Sequence, residues 1–465
     1  MPKALAIGLL AGAASAQTLT TLHPFSPLDP LFANQDGAYP SSSLVLSQNT
    51  LYGTANQGGN AGRGTLFKIK IDGTGFSPIY VFTATDLNSG VNSDGAFPLA
   101  GVVLDGSTLY GTASSGGAAA NGTVFKVNTN GSGFVTLHAF SASDPSTGAN
   151  TDGAAPWANL IVSSNTLYGT TTRGGASDSG TVFKLNTNGT SFVTLHSFSA
   201  LDQSSQTNSD GAYPLGGLTL SGNTLYGTTY RGGTTGTGTV FKINTDGSAF
   251  TVLHNNDGGS RAGLVLVDNA LYGTTESGGS LGGGTIFKLG ADGSGFTNLQ
   301  NFATASGSGP WGELALVNNV LYGTTYSGGA SALGSVFRMN LDGSGFEDIY
   351  SFSGINDGDH PQAAPLVSGD QVYGTTSEGG QGGVGTVFKL SLGQTNGLQL
   401  AIALAGKNVI VSWPAGAATS VLQSTVSLGA ATGWTNLNLT PLVSGGTNFV
   451  TYPISGAQQF FRLRQ

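Results

Sequence analysis

The stretch Thr166-Leu-Tyr-Gly-Thr-Thr171, followed beyond Gly174-Gly175 by Gly180-Thr-Val-Phe-Lys-Leu185, decides the fold. Both strings are short, rich in β-branched and aromatic residues, and bounded by Gly, Ser, Asn and Asp, as strands are. A turn at Asn186–Gly189 leads to Phe192-Val-Thr-Leu-His-Ser-Phe198, and a short apolar run, Leu160–Val162, precedes the set. The four segments are named A (Leu160–Val162), B (Thr166–Thr171), C (Thr181–Asn186) and D (Phe192–Phe198). None has a sustained helical period, so helix should be scarce.

The same strings recur along the chain. Leu-Tyr-Gly-Thr begins at Leu51, Leu109, Leu167, Leu225, Leu271 and Leu321, with a variant at Val372, at spacings of 58, 58, 58, 46, 50 and 51 residues. The Phe of the second string is Phe67, Phe125, Phe183, Phe241, Phe287, Phe337 and Phe388. Repeats of about 50 residues with four strands each read as propeller blades. Residues 18–26 match a D strand with no A, B or C before it, and the last repeat lacks a D. The spare strand therefore completes the last blade, which removes an open edge. The expectation is an all-β, seven-bladed β-propeller over residues 17–392, with A strands lining the axis. The B–C and D–A loops then share one face. The D–A loops are longest, as at Ser141–Pro156, so binding is expected on that face.

Composition narrows the classes. Charged residues make 9% of the 465, with 76 glycines, no cysteine and a net charge of −8. Disulfide scaffolds and thiolate chemistry are excluded, and an acidic chain is no phosphate-backbone binder. Nucleic acid is therefore not an expected partner. Lys3, the apolar run to Ala13 and Ala14-Ser15-Ala16 have the form of a signal peptide over residues 1–16. No later run is long enough to span a bilayer. A secreted or cell-surface bacterial monomer is expected.

The strings Leu167–Thr171, Gly180–Lys184 and Asp246–Phe250, with their copies, resemble the Gloeo/Verruco (GloVer) tandem-repeat family of secreted bacterial proteins. That resemblance implies a β-propeller-like, secreted or surface protein, often with a C-terminal sorting segment, and no known catalytic activity. This C-terminus departs from it by lacking an apolar helix with a basic tail. Residues 397–465 read instead as a small β-sandwich-like domain of five or six strands, with Trp413 and Trp434 as core anchors.

Seven copies separate scaffold from exception. His23, His138, His196 and His254 share one D position and are read as structural; His360 breaks the pattern. Asn-x-Asp-Gly recurs in the first four D–A loops, making Asp94, Asp152 and Asp210 weak calcium candidates, with turn chemistry as the alternative. No other cofactor is expected. Just before strand A, small residues dominate except Asn159 and Glu313. Two residues earlier, on the same face by strand alternation, stand Trp157, Arg261 and Trp311. A flat apolar ring beside an amide or carboxylate suits a sugar; the alternative is that both tryptophans plug the loop base. Arg173, Tyr230, Arg231, Glu276, Tyr326 and Glu378 lie in the B–C loops on the same side. Three functions follow. One is a binding module for a glycan or extracellular protein. The second is a carbohydrate-active hydrolase or lyase using Glu313, with Glu276 or Asp359 as partner acid. The third is a structural or adhesive surface protein without a discrete site.

Overall fold

The computed structural model describes residues 17–303, 307–392, 401–405, 408–414, 421–425, 434–437, 439–444, 447–453 and 460–464. The expected signal peptide lies outside these residues, as do parts of the expected C-terminal domain. The chain divides into a unit from Leu19 to Leu390 and a second that takes Ser391–Gln465 together with Met1–Thr18. Among the described residues there is no helix. None is long and apolar enough to cross a membrane.

In the first unit the strands form seven four-stranded antiparallel sheets in a propeller-like succession. The third repeat pairs Ile161–Ser163, Thr166–Thr171, Thr181–Asn186 and Val193–Ser197 in that order. Strand A is thus three residues long and begins one residue later than expected. Its expected first residue, Leu160, is 3% exposed in the core instead. In the last sheet the order is Leu366–Ser368, Gln371–Thr376, Thr386–Ser391 and then Thr18–Pro24, the spare N-terminal strand.

The repeated strings interlock through two glycines. Gly169 stands opposite Phe183 in the ladder. A methyl group on Gly169 would lie 2.7 Å from Phe183 Cζ and 2.7 Å from Leu160 Cδ2. The Gly of Leu-Tyr-Gly-Thr is therefore the space into which the C-strand Phe and the A-segment Leu pack. Gly180, at φ +94°, likewise leaves room for the Pro214 ring of the next repeat. Six of the seven repeats carry that proline: Pro40, Pro98, Pro156, Pro214, Pro310 and Pro361.

Neighbouring sheets share their cores. Tyr110, Val124, Leu137 and Phe140 of the second sheet pack with Leu160, Leu167, Phe183 and Leu185 of the third. The same kind of cluster joins the ends of the unit: Leu22, Phe25, Tyr373 and Val387 pack with Leu44, Leu51, Phe67 and Ile69. A second link runs near the axis. The B-strand Thr hydroxyls of Thr54, Thr112, Thr170, Thr228 and Thr324 donate to Ala100, Ala158, Gly216, Ala262 and Ala363 carbonyls of the following repeat. Thr375 donates to Ser42 at 3.0 Å, from the last repeat to the first.

The second unit contains a four-stranded sheet, Ala401–Ala405, Asn408–Pro414, Thr447–Pro453 and Leu442–Ser444, and a three-stranded one, Thr435–Asn436, Val421–Thr425 and Phe460–Arg464. Both contribute to one core of Val409, Val411, Trp413, Leu422, Val450 and Phe461. Trp413 is the expected anchor. Trp434 lies just before a two-residue edge strand and is partly exposed; the described core residues include Phe461 beside Trp413.

Gly169→Ala is expected to destabilise the first unit by about 1–3 kcal/mol, because the methyl meets a rigid ring and a packed leucine. Denaturant unfolding of the variant checks this, and an unchanged midpoint would refute the packing role given to this glycine.

Candidate functional site

Each repeat delivers one residue to a mouth on the axis. Ser41, Leu99, Trp157, Leu215, Arg261, Trp311 and Gln362 line a cavity of about 200 Å³. These positions precede the A ladder rather than belonging to it, so strand alternation is not what aims them. The backbone is set instead by the residue two positions earlier, which has positive φ (Tyr39, Phe97, Ala155, Tyr213, Gly309, His360), and by the proline between, which cannot donate to a ladder. That proline is the signal the sequence reading passed over. The fifth repeat has Ser260 in its place.

Beneath lies a narrower cavity of about 100 Å³, reached also by Ser43, Gly101, Asn159, Gly217, Gly263, Glu313 and Ala364. Asn159 is tied to the wall: its Oδ1 accepts from the Gly101 N–H at 2.7 Å. Glu313 points its carboxylate at Gly263, where a Cβ would stand 1.6 Å from Oε1. Glycine at 263 is what admits the acid. Its carboxylate has no hydrogen-bond or ion-pair partner among the described residues, and burial pushes the group from its ordinary 4.5 up to about 7. Thr274 is the one B-strand Thr of its series whose buried hydroxyl lacks a partner. By the order of the repeats its acceptor would be Gly312, the residue before Glu313.

The two tryptophans differ. Trp311 is covered on both faces, by the Arg261 guanidinium at 4.3 Å and by Tyr326 stacked at 3.9 Å and 12°. Arg261 also lies 5.0 Å over Tyr230 and bonds Glu276, which in turn accepts from the Tyr230 hydroxyl. Burial, then the Glu276 contact, raises the Tyr230 pKa. Trp157 has no such partners among the described residues and is 41% exposed, so it offers the more open aromatic face.

The loop residues separate as well. The D–A and B–C loops meet through backbone bridges such as Ala154–Arg173 and Ala212–Arg231, which puts both loop sets on one side. Arg173 pairs with Asp178 at 3.1 Å and covers Tyr213, and Arg231 covers Tyr230 at 4.9 Å. Neither reaches the mouth cavity. Asp94, Asp152 and Asp210 face inward and are engaged by protein donors. Asp152 pairs with His138 Nε2 at 2.9 Å and accepts from the Ser141 N–H and hydroxyl. Asp210 does the same with His196 and Ser199. Asp94 accepts from Tyr80 at 2.8 Å and from Thr83. Burial raises the Asp152 and Asp210 carboxyls, yet these bonds outweigh it and leave both lowered. The geometry is that of a strut between strand D and its loop.

A carboxyl whose folded-state pKa exceeds its unfolded value binds its proton more tightly when folded. Its stabilising effect is present at low pH and is lost as pH rises. Between pH 4.5 and about 7, Glu313 should therefore cost the fold roughly 3 kcal/mol. Urea unfolding from pH 4 to 8 should show this fall in the parent and not in Glu313→Gln. Parallel pH profiles for the two would contradict it.

The Gloeobacter/Verrucomicrobia repeat family model matches residues 8–151, 87–265, 145–314 and 256–433. No curated protein matches in sequence. Among solved structures, BamB from Moraxella catarrhalis is 14% identical with a TM-score of 0.44, over 81% of this chain and 99% of that one. An oligogalacturonate lyase in complex with manganese is 10% identical with a TM-score of 0.48, over 83% and 96%. A chain of a nidogen/laminin complex is 13% identical with a TM-score of 0.38, over 62% and 89%.

Proposed function

The chain belongs to the Gloeobacter/Verrucomicrobia repeat family, and from that premise we propose that it is a secreted seven-bladed β-propeller, with a small β-sandwich following it, that binds a glycan at its axial mouth. The observation that carries this reading is the division of the mouth. Leu99, Trp157 and Leu215, from three consecutive repeats, make an apolar arc with an exposed indole face. Arg261, Gln362 and Ser41 make the polar part of the remaining arc. A sugar has the same division, with C–H faces that stack on aromatics and hydroxyls that need hydrogen bonds. The leader-like residues 1–16 support export.

One observation favours a second reading, a carbohydrate-active hydrolase or lyase: the Glu313 pKa of about 7 suits a general acid. Hydrolysis by paired carboxylates needs a second acid about 5–10 Å away. Glu313 is the only acidic residue among those lining the two cavities, so binding without turnover is the stronger reading.

The test is calorimetry and tryptophan fluorescence against a panel of soluble polysaccharides. Trp157→Ala should lower affinity by about tenfold or more with an unchanged melting temperature, as an exposed stacking face requires. Trp311→Ala should lower the melting temperature. If no polysaccharide binds, or if Trp157→Ala binds as the parent does, the glycan reading is lost. Product release that Glu313→Gln abolishes while sparing binding would select the enzyme.

A further inference from the structure

Outside the mouth lining, one group of side chains has no counterpart in the other repeats. One donor atom each from Asp359, His360 and Glu378 lies within 4.8 Å of the other two. His360 Nδ1 is 3.1 Å from Asp359 Oδ1 and 3.9 Å from Glu378 Oε2. Donors bound to one ion at about 2.0–2.2 Å stand roughly 3–4 Å apart, so small rotamer adjustments bring all three onto a single ion.

The backbone holds the three residues in place. Asp359 and Glu378 exchange backbone hydrogen bonds of 2.9 and 3.2 Å across the D–A and B–C loops. The His360 N–H donates to Leu333 at 2.9 Å, and its carbonyl accepts from the Ser377 N–H and hydroxyl. Its ring rests on Tyr326 at 4.5 Å. These bonds fix the backbone from which the three donors project, so only side-chain rotamers need adjust when an ion binds.

The other repeats show what the scaffold needs here. The bridge occupied by Asp359 and Glu378 is Ala38–Gln57, Ala96–Ser115, Ala154–Arg173, Ala212–Arg231 and Ser308–Ser327 elsewhere. The His360 position is held by Tyr39, Phe97, Ala155, Tyr213 and Gly309, all with positive φ like His360 itself. None of these sets could ligate a metal. The fifth repeat lacks both the bridge and the positive φ and has Gly258, Gly259 and Ser277 at these positions; among the described residues, the seventh repeat alone brings three metal-ligating side chains together. Among the described residues no lysine or arginine pairs with the two carboxylates; the one nitrogen group beside them is the His360 imidazole. Glu378 is 50% exposed, which leaves an open side for water ligands.

We propose that Asp359, His360 and Glu378 form a binding site for one divalent first-row transition-metal ion. Two carboxylates beside a neutral imidazole match a 2+ charge. A nitrogen donor among the oxygens favours such ions over calcium or magnesium. The site is separate from the glycan mouth and stands or falls without it. It would brace the His360–Tyr326–Trp311 stack that walls one side of that mouth.

The experiment titrates the untagged, chelator-stripped full chain with Zn²⁺ by calorimetry and with Co²⁺ by visible absorption. One ion per chain is expected, with Co²⁺ bands that show nitrogen and oxygen ligation. His360→Ala should abolish this uptake. Glu378→Gln, a change at an exposed side chain whose fold is checked by its metal-free melting temperature, should weaken it by about tenfold or more. The absence of one-to-one uptake overturns the site. So does equal uptake by both variants, which would place any ion at the other histidines.

Discussion

A glycine facing a phenylalanine across one ladder is the contact on which the rest of the structure depends. At Gly169 and Phe183 the ring occupies the volume that any side chain on the glycine would claim. The ring fills that space completely, and the A-segment leucine closes over it. Protein interiors tolerate no voids and no overlap of this size, so the pair fixes how the central two strands of each sheet meet the inner one. The pair recurs at Gly53–Phe67, Gly111–Phe125, Gly227–Phe241, Gly273–Phe287, Gly323–Phe337 and Gly374–Phe388. With each sheet built alike, one kind of sheet-to-sheet packing recurs, and the Thr-to-carbonyl bond recurs with it in every repeat but the fifth, where Thr274 has no partner among the described residues.

That uniformity makes the departures meaningful. Seven inner segments converge on one axis, so small residues are the rule there. Glu313 is accommodated because Gly263 and Gly217 leave the space it fills. The fifth repeat lacks the proline that sets the mouth residue elsewhere, and there Arg261 turns to Glu276, Tyr230 and Trp311. The mouth is therefore asymmetric: braced and charged on one side, apolar and open around Trp157 on the other. That division is the basis of the proposed fit to a ligand that is itself two-faced.

Much of this was legible in the sequence, because repetition works as an internal alignment. The strand strings, the spare N-terminal strand and the positions that reach the axis all follow from superimposing the copies. What the copies could not show is contact between residues distant in sequence. Trp157 and Trp311 hold the same register, yet only the structure separates a free indole from one enclosed by Arg261 and Tyr326. Asp152 and Asp210 have the composition of a cation loop, but His138 and His196 from strand D already occupy them. Strand periodicity was the wrong guide to the mouth, since proline and positive φ carry that segment. In the C-terminal unit there is no repetition to consult, and the sequence pointed to Trp413 but not to Phe461 as a core residue. Asp359 and Glu378 lie too far apart in sequence for spacing alone to join them; a backbone bridge does so.

The central claim is that the N-terminal strand closes the succession of sheets, so that one enclosed axis and one mouth exist. Native-state hydrogen exchange read by mass spectrometry tests it directly. Amides of Thr18–Pro24 should be protected to the same degree as those of Val135–Ala139 and Val193–Ser197, the corresponding strands of intact sheets. Exchange of residues 18–24 at the rate of an unstructured peptide, with the other outer strands protected, would contradict the account.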